Sequence, residues 1–202
     1  MLIRRERSVD TTAVAGVHRS AFAAHYAATG GDTAHDPPEV ALLDALRSDP
    51  GWIPTLSMVA VADEAVVGHV CLTRATVGPF PVLALGPIAV LADRQHRGVG
   101  SALIHAVAGA ADALDEPLIG LLGSPDYYPR FGFQPGERLG IVPDRPDRAG
   151  DLQVRPRTAD ARERWGGKQT PPRPRDPQKP ATSRGPGGPP PPPPAPPGPP
   201  RR

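Results

Sequence analysis

The chain has 202 residues, 30 of them proline, and 16 of those prolines fall from Pro171 onward, in a stretch with almost no apolar side chains and too few hydrogen-bond donors for a core. Charge divides near the same place: residues 1–158 carry 14 Lys+Arg against 18 Asp+Glu, whereas residues 159–202 carry 9 against 3. An acidic body with a basic tail removes the support for nucleic acid as the main partner, and the single cysteine, Cys71, excludes an internal disulfide and a multi-cysteine metal site.

Residues 1–158 are a normal size for one domain with one core, and residues 159–202 read as a Pro/Arg-rich disordered tail. No segment approaches the ~18 consecutive apolar residues of a membrane span. The basic N-terminus, MLIRRERSVD, has no apolar run behind it, so a signal peptide is not expected. The expectation is a cytoplasmic protein without a membrane partner.

In chain order, Leu2–Glu6 is a short strand. Asp10 stands where a helix N-cap should, and Val14, Val17, Ala21 and Phe22 recur at helical spacing, which predicts a helix from Thr11 to about Ala28. Pro37-Pro38-Glu39 opens a second helix with Val40, Leu42, Leu43 and Leu46 as its apolar face, and Asp49-Pro50-Gly51 stops it. Leu56–Ala62 and Ala65–Ala75 form a hairpin across Asp63-Glu64. Phe80–Val90 is a fourth strand whose Gly86-Pro87 points to an edge or a bulge. Ser101–Asp115 is a helix with Leu103, Ile104, Val107, Ala111 and Leu114 on one stripe. Pro117–Gly123 reads as a strand covered on both faces, Pro125–Phe131 as a short helix or turn, and Phe133 begins another strand. Leu139–Val142 and Leu152–Arg155 are the candidates for the last strands. The order implies a mixed α/β domain with a central sheet and helices on both faces.

The chemistry concentrates between the fourth strand and the long helix, at Arg94-Gln95-His96-Arg97-Gly98-Val99-Gly100-Ser101. Two glycines let the backbone approach a ligand closely, and a helix N-terminus presents backbone N–H groups without internal partners at its positive end. Together these suit a pyrophosphate. The run lacks the Lys-Ser/Thr ending of a nucleotide P-loop and the third glycine of a dinucleotide fold. An ordinary tight strand-to-helix turn is the competing reading. Gly86-Pro87 could splay its strand from the one at Leu118–Leu122, exposing backbone groups to an amide-bearing ligand arm. Ser124-Pro125-Asp126-Tyr127-Tyr128-Pro129-Arg130-Phe131-Gly132-Phe133 then places a tyrosine near the splayed end.

These segments resemble the GNAT superfamily of N-acetyltransferases. Gln95-His96-Arg97-Gly98-Val99-Gly100 matches the family's acetyl-coenzyme A signature, Gln/Arg-x-x-Gly-x-Gly/Ala, and Tyr128-Pro129-Arg130-Phe131-Gly132-Phe133 matches its later Tyr-x-x-x-Gly-Phe element. ALGPIAVLADRQHRGVGSALI with SPDYYPRFGF looks most like a bacterial subgroup of predicted N-acetyltransferases. The resemblance covers roughly residues 1–140. It implies a GNAT-like, mostly antiparallel sheet splayed between strands 4 and 5. It also implies an acetyl-CoA-dependent transfer of acetyl to a primary amine, direct and without a metal. Arg97–Ser101 would cradle the pyrophosphate, in the loop that includes Gln95, His96, Gly98, Val99 and Gly100. The backbone of Ile88 and Val90 would pair with the pantetheine amides and polarise the thioester carbonyl. Tyr128 would be the general acid, with Tyr127 as second choice. Glu39 would be the amine contact or base, its competing reading being a helix N-terminal carboxylate favoured by the dipole. The expected partners are a small-molecule or protein amine and, as an assembly, a homodimer. The rival reading is a non-catalytic, acyl-CoA-binding regulatory protein with the Pro-rich tail as its interaction arm.

Three other groups of residues carry less. His69 and Cys71 share a strand face, yet two residues of strand rise separate them by roughly 6.6 Å, so the expectation is a packed thiol beside a structural histidine. His18 and His25 share a helix face without a carboxylate at ligand spacing and read as surface histidines. Asp112, Asp115 and Glu116 read as a solvated edge.

Overall fold

The computed structural model describes residues 1–31, 35–143 and 145–157; the domain boundary at Thr158 and the tail from residue 159 lie outside the described residues. The strands are β1 (Leu2–Arg5), β2 (Trp52–Ala62), β3 (Ala65–Val77), β4 (Phe80–Val90), β5 (Leu118–Leu122), β6 (Gln134–Pro135) and β7 (Leu152–Pro156), and the helices α1 (Thr11–Ala28), α2 (Pro38–Arg47) and α3 (Val99–Ala113). The strands form one sheet in the order β1-β2-β3-β4-β5-β7-β6. Every pairing is antiparallel except β4 with β5.

Alternation along β2 and β3 decides which side chains meet which helix. Val70 and Leu72 pack in one cluster with Leu103, Ile104 and Val107 of α3. Val59 and Cys71 face the other way and pack with Val14 of α1 and Leu43 and Leu46 of α2. Helices therefore cover both faces, as the sequence pattern implies. The β2–β3 turn has Asp63 and Glu64 at φ 50° and 63°, the left-handed pair that a two-residue hairpin loop demands.

The C-terminal part departs from expectation. Leu139–Val142 is not a strand: a 3-10 turn over Gly136–Leu139 leads into Gly140 at φ 67°, which reverses the chain. Leu139 and Ile141 are nevertheless buried with Val82, Leu118 and Val154, so their alternation served packing and not a ladder. Leu152–Pro156 does pair with β5 along all five residues, and the strand after Phe133 is two residues long. Asp112 and Glu116 are not a solvated edge. Asp112 grips Arg155 of β7 through two bonds of 2.9 and 2.8 Å, and buried Glu116 takes Arg74 of β3 at 2.6 Å. Asp115, more exposed, pairs with Arg157 at 2.7 Å.

Asp10 does not cap α1. Its carboxylate turns back to Arg4, at 2.6 and 2.9 Å, and accepts the Arg7 N–H at 2.8 Å. The Arg4 guanidinium holds it down to about 2, against the cost of burial.

A buried polar chain runs under α1. His18 is fully buried rather than a surface histidine, and its Nε2 lies 2.9 Å from Nδ1 of His69. Nε2 of His69 lies 3.0 Å from Ser57 Oγ, which donates to Glu6, and Arg47 holds the other Glu6 oxygen at 2.6 Å. Burial raises the Glu6 carboxyl, but bonds from His69, Ser57 and Arg47 outweigh it and bring it to about 2. An ionised Glu6 fixes the proton positions. Ser57 gives its proton to Glu6 and so accepts from His69 Nε2–H, which leaves His69 Nδ1 to accept from His18 Nε2–H. The chain ends at His18 Nδ1, a buried lone pair without a partner among the described residues. Burial keeps both imidazoles neutral, with His18 lowered to about 3.

Candidate active site

The sheet parts in its middle. β4 and β5 pair only at Leu83↔Ile119 and Ala84↔Gly120, and beyond Ala84 they separate. The cause lies in β4. Opposite β3 the register steps from Leu72↔Leu85 to Val70↔Ile88, so Gly86 and Pro87 together face Cys71. That is a β-bulge, with Gly86 at φ 144° and a cis peptide to Pro87. Cys71 Sγ–H donates to the Gly86 carbonyl at 3.2 Å, and burial pushes its thiol well up; it is a packed thiol, as expected. The bulge is real, whereas the edge position is not: β4 is an interior strand.

The backbone beyond the bulge faces the gap. Leu91 N–H donates to Val67 O at 3.0 Å, which fixes the phase of the antiparallel ladder. Alternation from that pair turns the N–H and C=O groups of Ile88 and Val90 away from β3, toward the side β5 has vacated. Val90 O is reached from that side by the Gln95 amide, Nε2 to O at 3.2 Å. Gln95 thus braces its own loop against β4.

The loop then turns through two left-handed residues, His96 at φ 59° and Gly98 at φ 82°, before α3 begins at Val99. Gly98 takes this conformation without strain, and a Cβ there would meet nothing within 4 Å, so the position opens to a cleft. The first intrahelical bond of this end is Ala102 N–H to Gly98 O, 3.0 Å, which leaves the amides of Val99, Gly100 and Ser101 for an outside acceptor. The Val99 side chain is buried in the core under α3 and offers only its backbone. Arg94 is drawn to Asp63 at 3.3 Å and to Asp93 at 3.6 Å, while Arg97 is exposed.

Two clefts meet along β4. One, of about 520 Å³, runs past Gln95, His96, Gly98, Gly100, Ser101 and Tyr127, alongside Ile88 and Val90. The other, of about 390 Å³, holds Glu39 and Tyr128 together. Phe22 and Ile88 line both, so the two clefts adjoin at these side chains. Tyr127, the second-choice acid, lies in the loop cleft instead: a Cβ on Gly100 would stand 3.3 Å from its hydroxyl, and Arg130 sits 4.8 Å over its ring. Tyr128 packs edge-on to Tyr127 and Phe133. Burial, then its neighbour Tyr127, pushes its phenol up to about 12, so the hydroxyl keeps its proton at neutral pH. Glu39 sits in the first turn of α2 with Oε2 buried and unpartnered among the described residues.

Phe22 and Arg130 were not singled out from the sequence. Phe22 was legible only as one apolar residue of a helix stripe. Arg130 lay inside a recognised segment, but nothing local shows that it covers Tyr127. No group of three or more metal-ligating side chains occurs among the described residues, and none of the described helices is long and apolar enough to cross a membrane.

Residues 55–135 match the family model described as an acetyltransferase (GNAT) domain. Among curated proteins, the chain is 35% identical over 101 residues to the uncharacterized N-acetyltransferase YjhQ of Escherichia coli K12, a match spanning 48% of this chain and 56% of that protein. It is 30% identical over 138 residues to the uncharacterized N-acetyltransferase YhbS of Escherichia coli K12, spanning 66% and 74%. Among solved structures, the Escherichia coli YhbS complex with CoA superposes with a TM-score of 0.69 at 24% identity over 80% of this chain and 83% of that one. A GNAT family acetyltransferase from Brucella melitensis in complex with acetyl-CoA gives 0.61 at 28% identity over 77% and 86%. With the parted sheet, the glycine loop and these relatives in agreement, the chain belongs to the GNAT acetyltransferase family.

Proposed function

We propose that the protein transfers the acetyl group of acetyl-CoA directly to a primary amine. The observation that carries this reading is the outward-facing backbone of Ile88 and Val90, which joins the Gly98–Ser101 amides at one end to Glu39 and Tyr128 at the other. The acetyl-CoA held by the Brucella melitensis relative supports the same reading. The N–H groups of Val99, Gly100 and Ser101 bind the pyrophosphate, with Arg97 adding charge. Ile88 and Val90 pair with the pantetheine amides and orient the thioester. Glu39 holds the amine and takes its proton. As the new C–N bond forms and the C–S bond breaks, Tyr128 gives its phenolic proton to the departing sulfur, and the second proton that the nitrogen loses in becoming an amide passes to solvent, from which Tyr128 is reprotonated. The residues fit an extended phosphopantetheine arm because the two clefts adjoin at Ile88 along β4, and a side chain at Gly98 would enter the loop cleft.

Calorimetric titration of the full chain with coenzyme A and acetyl-CoA tests the binding half. Micromolar affinity for both is expected, and Gly98→Glu should weaken it by about ten- to a hundredfold. That variant strains a left-handed position and adds negative charge where a diphosphate belongs. Absence of binding by the unsubstituted chain would overturn the proposal.

A further inference from the structure

The cleft around Glu39 and Tyr128 narrows the acceptor, an inference that rests on the transferase reading above. Its walls are apolar: Phe22 of α1, Leu42 and Leu46 of α2, Leu85 of β4, Leu122 of β5 and Leu152 of β7. Inside this hydrocarbon surface Glu39 Oε2 is buried with no hydrogen-bond partner among the described residues. A buried carboxylate oxygen without a donor is costly, so the site is completed by a ligand that brings one. Arg145 and Arg148 also line the cleft, each held by a carboxylate, Asp147 at 2.6 Å and Asp151 at 2.7 Å. Both arginines are thus paired with carboxylates, and Glu39 is the one acidic side chain among the residues that line the cleft.

We propose that the acceptor is a primary amine on an apolar body, an alkyl- or aralkylamine, with its ammonium on Glu39 and its hydrocarbon on the Leu42–Leu46–Leu85 wall. A volume of about 390 Å³ suits a small ligand of this kind. Polyamines and aminosugars fit it poorly. Each brings further ammonium or hydroxyl groups, and beyond Glu39 the walls are mostly hydrocarbon, so those groups would be desolvated without compensation. One carboxylate in an apolar cleft matches one charge on an apolar ligand.

The test titrates the full chain, saturated with coenzyme A, with phenethylamine, hexylamine, spermidine and kanamycin, and then follows thiol release from acetyl-CoA with the same four amines. Phenethylamine and hexylamine should bind, and should be acetylated with kcat/KM at least about tenfold above the other two. Glu39→Gln should weaken phenethylamine binding about tenfold with coenzyme A affinity unchanged, and Leu42→Asn should weaken hexylamine more than methylamine. Coenzyme A binding without any binding of the apolar amines would overturn the inference and leave the transferase reading standing. So would a preference for spermidine or kanamycin. Octanoyl-CoA binding more tightly than acetyl-CoA and excluding phenethylamine would assign the cleft to the donor's acyl chain and overturn the inference as well. Loss of coenzyme A binding itself would remove both.

Discussion

Tyr128→Phe is expected to leave acetyl-CoA affinity within about twofold while lowering kcat by about 10²–10⁴, the range that a positioned general acid supplies. The substitution isolates the proton. The ring of Tyr128 is fixed by shape: it stands edge-on to Phe133 with centroids 5.8 Å apart, and a Cβ on Gly123 would come within 2.4 Å of its Cε2. Phenylalanine keeps those contacts and loses only the hydroxyl. Because burial and Tyr127 push the phenol up to about 12, the unsubstituted protein should hold its donor protonated through the alkaline range. Its kcat should therefore show no loss attributable to this group up to about pH 10. Steady-state thiol release, paired with calorimetry on the same variant, measures both quantities. Unchanged turnover would take Tyr128 out of the reaction, and a parallel loss of cofactor affinity would mean that the ring, not the proton, is what the site needs.

What could be read from sequence tracks how local each physical demand is. Gly98 and the bulge at Gly86-Pro87 were visible because a left-handed turn and an interrupted ladder are written in residue type at the position itself. The bounds of α1 and β4 were likewise visible, since Gly30-Gly31 ends one and an almost unbroken apolar run spans the other. Glu39 and Tyr128 were named one at a time, but their meeting in one cleft depends on how far β4 and β5 part, which no spacing encodes. Phe22 was hidden for the same reason: it bridges two clefts that exist only after the sheet splays. Leu139–Val142 misled because alternating burial against the face of a sheet looks the same in sequence as a strand. The pairing of Asp112 with Arg155 joins residues 43 apart, and that of His18 with His69 joins residues 51 apart. In both cases each residue alone looks like a polar side chain that faces water.

The buried His18–His69–Ser57–Glu6 chain makes stability depend on acid in a defined direction. His18 falls from an ordinary 6.5 to about 3 in the folded protein, chiefly through burial and then through His69, and His69 is lowered as well by burial. Between about pH 6.5 and pH 3 the unfolded chain therefore binds protons that the folded chain refuses, and stability must fall as pH falls through that window. Glu6 and Asp10, lowered to about 2 from 4.5 and 3.8, add losses of the same sign only below about pH 4.5. Thermal unfolding should thus show a plateau above about pH 7 and a decline beginning near 6.5, on the order of a few kcal/mol by pH 4. His18→Leu should flatten the upper part of that decline by removing one of its two imidazoles, while leaving the lower limb to Glu6 and Asp10. His69→Ala differs in kind. It leaves Ser57 and the Glu6–Arg47 pair buried without their middle partner and opens a void, and should cost about 3–5 kcal/mol at neutral pH. A Tm that stays flat from pH 7 to pH 5 in the unsubstituted protein would mean that the imidazoles take up protons while folded. The directional chain, which needs His69 Nδ1 unprotonated, would then be wrong.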